Sequence, residues 1–269
     1  RVDAFSIDLA NEVQKVRKTT LTLAPEAGSQ RLRDIINKNI SEEQLFQAVE
    51  AAFKSGWNAL KLYFMIGLPE ESNEDLLGIL DLIEKVRYIG KEHTNRGVDI
   101  RPSLSSFVPK PHTPFQWRGQ VSLEELEAKQ EFLINKKLRR TRISFHDSRT
   151  SIIEGMLARG DRRLSQVIHG AWQKGCKFDS WSEYFRYDLW LEAIEENGID
   201  LDFYTTRLRP YTEVFPWDFI DIGVRKEFLQ SENEMAKRGL LTKRPSVERC
   251  RIASSSDQTP HFSLRFCSR

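Results

Sequence analysis

Two charged residues twelve positions apart, Glu26 and Lys38, carry the first chemistry legible in the chain. Glu26 follows the β-rich run "TTLTLAP", and a carboxylate at the open end of a strand can bind an amine. Gly28 and Ser29 come next, at a helix start. Lys38 lies just past that helix, and its flexible ammonium stem can reach back to a carboxylate. The two ends of an amino acid need both charges. Each residue also has a plainer use, Glu26 as a helix-start charge and Lys38 as a solvated charge at a helix end. The second candidate is "KLYFMIGLPEESNED", Lys61 to Asp75, an almost unbroken apolar run that stops at Gly67-Leu68-Pro69 and turns acidic. Gly67 would let a flat ligand approach the backbone, although the same triplet also serves as a strand-to-helix turn. Third, His146 stands at a strand end beside Asp147, a general acid or base by type or one half of a helix-capping turn. Arg159, Asp161, Arg162 and Arg163 bunch together further on, able to grip a phosphate or carboxylate or to form an Arg–Asp network between helices.

The elements that must position these residues alternate strand and helix from Thr19 onward, which predicts parallel strands with helical crossovers. In "SEEQLFQAVEAAFKSG", Ser41 and Gln44 form a capping box, Leu45, Val49, Ala52 and Phe53 one apolar face, and Gly56 the exit. Ser72 and Asp75 cap the next helix, with Leu76, Ile79, Leu80 and Ile83 inward. The strand between, Leu60 to Ile66, is expected to be covered on both faces, by helices and by barrel core. "VDIRPSLSSFVPKPHTPFQW" reads as a strand breaking into a loop whose prolines at 109, 111 and 114 forbid ladder pairing. A helix capped at Ser122 and a short strand in "TRISFHD" follow, and then mostly helix. Trp172, Trp181, Phe185 and Trp190 fall at helical spacings, as core rather than a base-stacking platform. In parallel αβ barrels the ligand site lies at the carboxyl ends of the strands.

The 269 residues and 31.4 kDa suffice for one large domain or one domain with an appendage. With 41 basic against 39 acidic residues the net charge is +2, so no nucleic-acid partner is indicated by charge. Cys176, Cys250 and Cys267 give no disulfide framework and suit a reducing compartment. No stretch is long and apolar enough to cross a bilayer, and a cytoplasmic protein is expected, with no membrane partner. "RVDAFSIDLA" opens without methionine like a strand running into a helix, so the chain is expected to begin mid-fold. After Cys250 periodicity is lost and a disordered or aberrant tail is expected.

"LTLAPEAGSQRLRDIINKNISEEQL", "GWNALKLYFMIGLPEESNEDLLGI", "SSFVPKPHTPFQW" and "RTSIIEGMLARGDRR" together resemble the radical S-adenosylmethionine (SAM) superfamily. More narrowly, they resemble its branch with a cobalamin-binding domain ahead of the barrel. The resemblance spans Arg1 to about Arg249. It implies an α/β fold, an incomplete parallel (β/α) barrel over residues 1–145, then a mostly helical region over 146–249 and the tail at 250–269. It implies SAM, a 4Fe-4S cluster that cleaves it to a 5′-deoxyadenosyl radical, an electron donor protein and, in the full-length protein, possible cobalamin. Glu26 and Lys38, with Gly28 and Ser29 beside them, match positions that hold the methionyl and ribose portions. Tyr63 and Met65 match the strand lining the adenosine, with Gly67 giving clearance, and Phe107 and Val108 match the last barrel strand, which touches adenine. Lys38 stands where related branches often have Arg, and Tyr63 where some have a carboxylate. His146 remains the catalytic candidate.

The superfamily's CxxxCxxC loop does not occur in the sequence, and the three cysteines do not have its spacing. Cys250-Arg251 fits the start of a further cysteine motif, but only Cys267 follows, so no metal ligands are expected here. "RVDAFS" resembles the third barrel strand, and the chain is therefore expected to be a C-terminal fragment, unable alone to bind the cluster or make the radical. The implied reaction is methyl or related one-carbon transfer, or rearrangement at an unreactive C–H position, on an unknown small or macromolecular substrate. The alternative is a non-catalytic half-barrel that holds a nucleotide or RNA through Lys38, Arg139, Arg140, Arg142 and the cluster at 159–163.

Overall fold

The computed structural model describes residues 20–94, 97–136, 138 and 141–241. The expectations for "RVDAFS", Arg139, Arg140, Cys250, Cys267 and the tail lie outside them. Four strands, β1 (Leu21–Glu26), β2 (Ala59–Ile66), β3 (Asp99–Ser106) and β4 (Ser144–Phe145), form one sheet in chain order. All three pairings are parallel. Parallel neighbours demand crossovers, supplied by α1 (Gln30–Ile35) and α2 (Glu42–Lys54), by α3 (Asn73–His93), and by a 3-10 turn (Pro114–Trp117) with α4 (Leu123–Asn135). The fold is α/β, an open arc consistent with a partial parallel barrel. Beyond β4 come α5 (Ser148–Ala158), α6 (Leu164–Gln173), α7 (Tyr187–Glu196), α8 (Leu201–Tyr204) and α9 (Lys226–Lys237).

Local chemistry sets the crossovers. Ser41 with Gln44 and Ser72 with Asp75 both close complete capping boxes, and Ser122 accepts from the Glu125 amide. Leu60, Leu62, Phe64 and Ile66 of β2 are fully buried, in one cluster with Leu45, Val49 and Phe53 of α2 and Leu76, Ile79 and Ile83 of α3. The other face of β2 departs from expectation. Lys61 and Met65 are half-buried and Tyr63 is 36% exposed, so among the described residues this face is only partly covered. Tyr63 is apolar enough to read as buried but stays open to water, whereas Met65, nearer the strand tip, packs against the layer of Ala27, Leu32 and Leu68.

A second core joins Ile153, Met156, Leu164, Val167, Ala171, Trp190 and Ile194 of the helical half, and Leu201 packs against both cores. Trp190 is core as expected, and Phe185 packs on it. Trp172 and Trp181 are not core, being 56% and 61% exposed. Trp172 follows buried Ala171 and is turned about 100° around α6, and Trp181 lies in a turn where helical spacing has no meaning. The helical half is stitched to the loop after β3. Gln120 N donates to Thr205 O at 2.9 Å and Arg209 N to Trp117 O at 2.9 Å. Buried Arg159 donates to the Arg118 and Thr205 carbonyls, both at 2.6 Å. Burial, with Arg209 and Arg207 nearby, pushes Arg159 down to about 9. Through this seam the chain returns to the strand tips, where Ala236 of α9 is buried with Ala27, Leu32, Ile35 and Leu68.

Candidate cofactor site at the strand tips

Because β1, β2 and β3 are parallel neighbours, Glu26, Gly67 and Phe107 end on one edge of the sheet. One extra residue separates the Leu23–Leu62 and Glu26–Phe64 pairs, a bulge at Ala24-Pro25 that re-aims Glu26. Glu26 has left-handed backbone, φ 69°, and its Oε1 lies 2.9 Å from Lys38 Nζ. Both side chains stay partly open to water, at 26% and 21%. Lys38 is presented by a tight turn in which Asn37 and Asn39 are also left-handed, with Asn39 Nδ2 donating to Asn37 O at 3.0 Å and Lys38 N to Arg33 O at 2.8 Å. The two sequence candidates are thus one ion pair at the mouth. An incoming amine and carboxylate would exchange partners with it, one opposite charge for another.

Gly28 and Ser29 are placed beside the pair but occupied elsewhere. Ser29 accepts from Leu32 N as the cap of α1 and donates to Asp75. Gly28 presses on α3, where Gly78 receives it. Asp75 also accepts from Arg31 and from Ser72 N at 2.8 Å. Its burial works to raise the carboxyl, but these hydrogen bonds win and hold it below the usual range. Gly67 is left-handed, φ 75°, and donates its N–H to Glu71 Oε2 at 2.8 Å. The space a Cβ would enter holds Val121 and Leu126, so packing as well as φ requires glycine there. Met65 and Phe107 meet under α9 against Ala27, Leu32 and Leu68, and Phe107 stacks edge-on to Phe115 at 5.7 Å. Val108 is buried. Tyr63 stands further down the inner face, under Lys61 at 4.7 Å and in register with Ser103.

His146 extends β4, its N–H donating to Leu104 O at 2.8 Å and its Nδ1 3.2 Å from Ser151 Oγ. It is exposed, and three strand spacings, about 14 Å, separate it from β1. Asp147 caps α5. Arg163 grips Asp161 through Nε and Nη2 at 3.0 and 2.7 Å, the network alternative for that cluster. Sequence reasoning missed Glu71, Arg31 and Arg118. Glu70 and Glu71 belong to the acidic stretch after Pro69, yet the Glu71 side chain is 1% exposed and turns back onto Gly67 and Lys129, whose Nζ is 3.2 Å away. Burial raises its carboxyl despite both partners. Backbone strain marks the same region. Of six left-handed non-glycine residues described, Glu26 at the end of β1 and Asn37, Asn39, Glu70 and His112 in loops lie toward the tips, leaving only Phe178 elsewhere. An adjoining cavity of about 580 Å³, lined by Pro69, Gln120, Val121, Glu124, Tyr187 and Thr205, opens between these loops and α7–α8.

The donor set does not fit an iron–sulfur cluster. Cys176 is buried in the second core, burial and Asp179 push its thiol up, and no group of three metal-ligating side chains occurs among the described residues. No described helix is long and apolar enough to cross a membrane.

The radical SAM superfamily profile matches residues 1–83, which carry β1, β2, Glu26, Lys38 and Gly67. The first third of the chain thus matches the radical SAM superfamily. The chain is 34% identical over 202 residues to an uncharacterized protein of Methanocaldococcus jannaschii, 74% of the chain and 42% of that protein. It is 22% identical over 171 residues, 61% of the chain, to 36% of a tRNA-2-methylthio-N(6)-dimethylallyladenosine synthase of Rickettsia typhi. To the synthase of that name from Clostridioides difficile it is 39% identical over 69 residues, 25% of the chain and 14% of the relative. The chain therefore spans less than half the length of the curated relatives it matches. The matched family implies SAM and a 4Fe-4S cluster.

Proposed function

We propose that this chain is the C-terminal part of the barrel of a longer radical SAM enzyme, and that its strand tips hold the methionyl end of SAM. The observation that carries this is the Glu26–Lys38 pair, opposite charges 2.9 Å apart on strained backbone at a strand end, both partly open. Glu26 takes the amine and Lys38 the carboxylate, the pair opening as the ligand's own charges replace its partners. Met65 and Phe107, packed in the layer that includes Ala236 of α9, and buried Val108 supply the apolar wall for the nucleoside. When bound, SAM supplies the group that is transferred or the deoxyadenosyl group that abstracts hydrogen. His146, exposed at the β4 tip with its Nδ1 3.2 Å from Ser151 Oγ, is the proton-transfer candidate. The absence of CxxxCxxC means that the cluster thiolates come from outside these residues, so no reductive step is assigned to them. Cobalamin association, a cytoplasmic setting and an electron donor protein complete the proposal. Two of the named relatives are tRNA-2-methylthio-N(6)-dimethylallyladenosine synthases.

The test is calorimetric titration of the chain with SAM. Glu26→Gln and Lys38→Ala should each weaken binding about tenfold, the effect of losing one charge-assisted hydrogen bond of about 1.4 kcal/mol. Equal affinity in all three proteins removes the reading. One observation favours the alternative of a non-catalytic half-barrel, namely the missing cluster motif itself. RNA binding by the isolated chain that falls steeply with salt, with no SAM binding, would establish that alternative.

A further inference from the structure

The turn after β2 holds a conformation it would not keep alone. Gly67 and Glu70 are both left-handed, φ 75° and 63°. Glycine adopts this freely, whereas a glutamate is disfavoured there roughly tenfold or more. Two arginines, one from α1 and one from the loop after β3, grip Glu70. Arg31 of α1 donates to the Glu70 carbonyl at 2.8 Å, and Arg118, after β3, donates through Nη2 to Glu70 Oε1 at 2.9 Å. The other edge of the same guanidinium is fixed, because Arg118 Nε donates to Asn233 Oδ1 at 3.0 Å. Asn233 belongs to α9, is 1% exposed, and donates to the Tyr211 hydroxyl at 2.7 Å, which donates to Glu234 at 2.6 Å. One planar fork, 14% exposed, therefore joins the strained turn, the loop after β3 and the helix over the mouth.

We propose that Arg118 is a positioning residue for the cofactor pocket, holding the Gly67–Glu71 turn in its strained shape through Glu70 and coupling that shape to the seat of α9 through Asn233. The assignment rests on the reading that the tips bind SAM. An ion pair with a 40% exposed glutamate contributes little to stability by itself. It matters here because the strain it opposes is of the same small size, so that loss of the clamp shifts the turn toward relaxed backbone. Leu68 of this turn is buried in the layer that meets Met65 and Phe107, so the relaxed turn disturbs the nucleoside wall. Lysine cannot replace the fork, since one ammonium cannot reach Asn233 and Glu70 in fixed geometry.

The experiment is titration of the full chain with SAM, with thermal unfolding measured on every variant. Arg118→Ala should weaken binding about tenfold and Arg118→Lys about threefold. Glu70→Gly lets the turn form without strain, so Glu70→Gly alone and Glu70→Gly combined with Arg118→Ala should both bind within about twofold of wild type. That suppression is the signature, because a merely structural arginine is not rescued by a glycine in the turn. Wild-type affinity in Arg118→Ala, or a double variant as weak as Arg118→Ala, overturns the assignment alone. Failure of the wild-type chain to bind SAM removes the underlying reading and the assignment with it.

Discussion

Gly28→Ala separates the two roles that Gly28 could have. The resemblance places it among the cofactor residues, whereas the structure sets it against α3. A Cβ at Gly28 would fall within 2.3 Å of both the Asp75 carbonyl oxygen and the Ile79 nitrogen. Both are helix backbone, which cannot rotate away as a side-chain tip can, so α1 and α3 must separate. Gly78 on the opposing surface leaves no slack, since its own Cβ would come within 2.9 Å of Gly28 C. Overpacking typically costs 1–3 kcal/mol, and a backbone-on-backbone contact belongs at about 3 kcal/mol or above. At roughly 2–4 °C per kcal/mol for a chain of this size, the midpoint should fall by about 6–12 °C. The assay is thermal unfolding followed by circular dichroism, with Gly198→Ala as the control. Gly198 is left-handed with nothing near it, so its substitution carries only the conformational cost of about 1 kcal/mol. An unchanged midpoint in Gly28→Ala, together with a loss of SAM affinity, would refute the packing argument and restore the ligand-cradling role.

Two further predictions concern buried and paired carboxyls. Burial raises the Glu71 carboxyl above its unfolded value, so its contribution favours folding at low pH and is lost as pH rises through the folded value. Glu71→Gln keeps an acceptor for the Gly67 amide and removes the buried charge, so stability at pH 7 should change by less than about 1 kcal/mol and the pH slope above the usual glutamate range should flatten. A loss beyond about 3 kcal/mol in denaturant titration would show that the charge itself is required. Asp161 runs the other way. Hydrogen bonds from Arg163, then the Arg163 amide and Tyr204, hold its carboxyl down to about 2 against the opposing effect of burial. Its stabilisation is present above the unfolded value and should disappear as pH falls from about 4 toward 2. With Arg163 59% exposed the effect should be about 1 kcal/mol, and an acid unfolding curve that Asp161→Asn leaves unaltered would contradict it.

The sequence by itself determined what depends on neighbours along the chain. Capping at Ser41, Ser72 and Ser122 needs only three or four residues, and it appears where spacing placed it. The alternation of strands and helices fixed the parallel connections, and hence a common edge for Glu26, Gly67 and Phe107. Tertiary structure decided which candidate meets which. That Glu26 bonds to Lys38, that Gly28 serves α3 and that Glu71 folds back on Gly67 all depend on directions set by a bulge, a helix crossing and three left-handed turns. Periodicity also could not tell Trp190, which faces the second core, from Trp172 on the wet side of its helix, because each residue shifts direction by about 100°. Residue type sets what a side chain can do, and the three-dimensional packing of distant segments sets what it is left free to do.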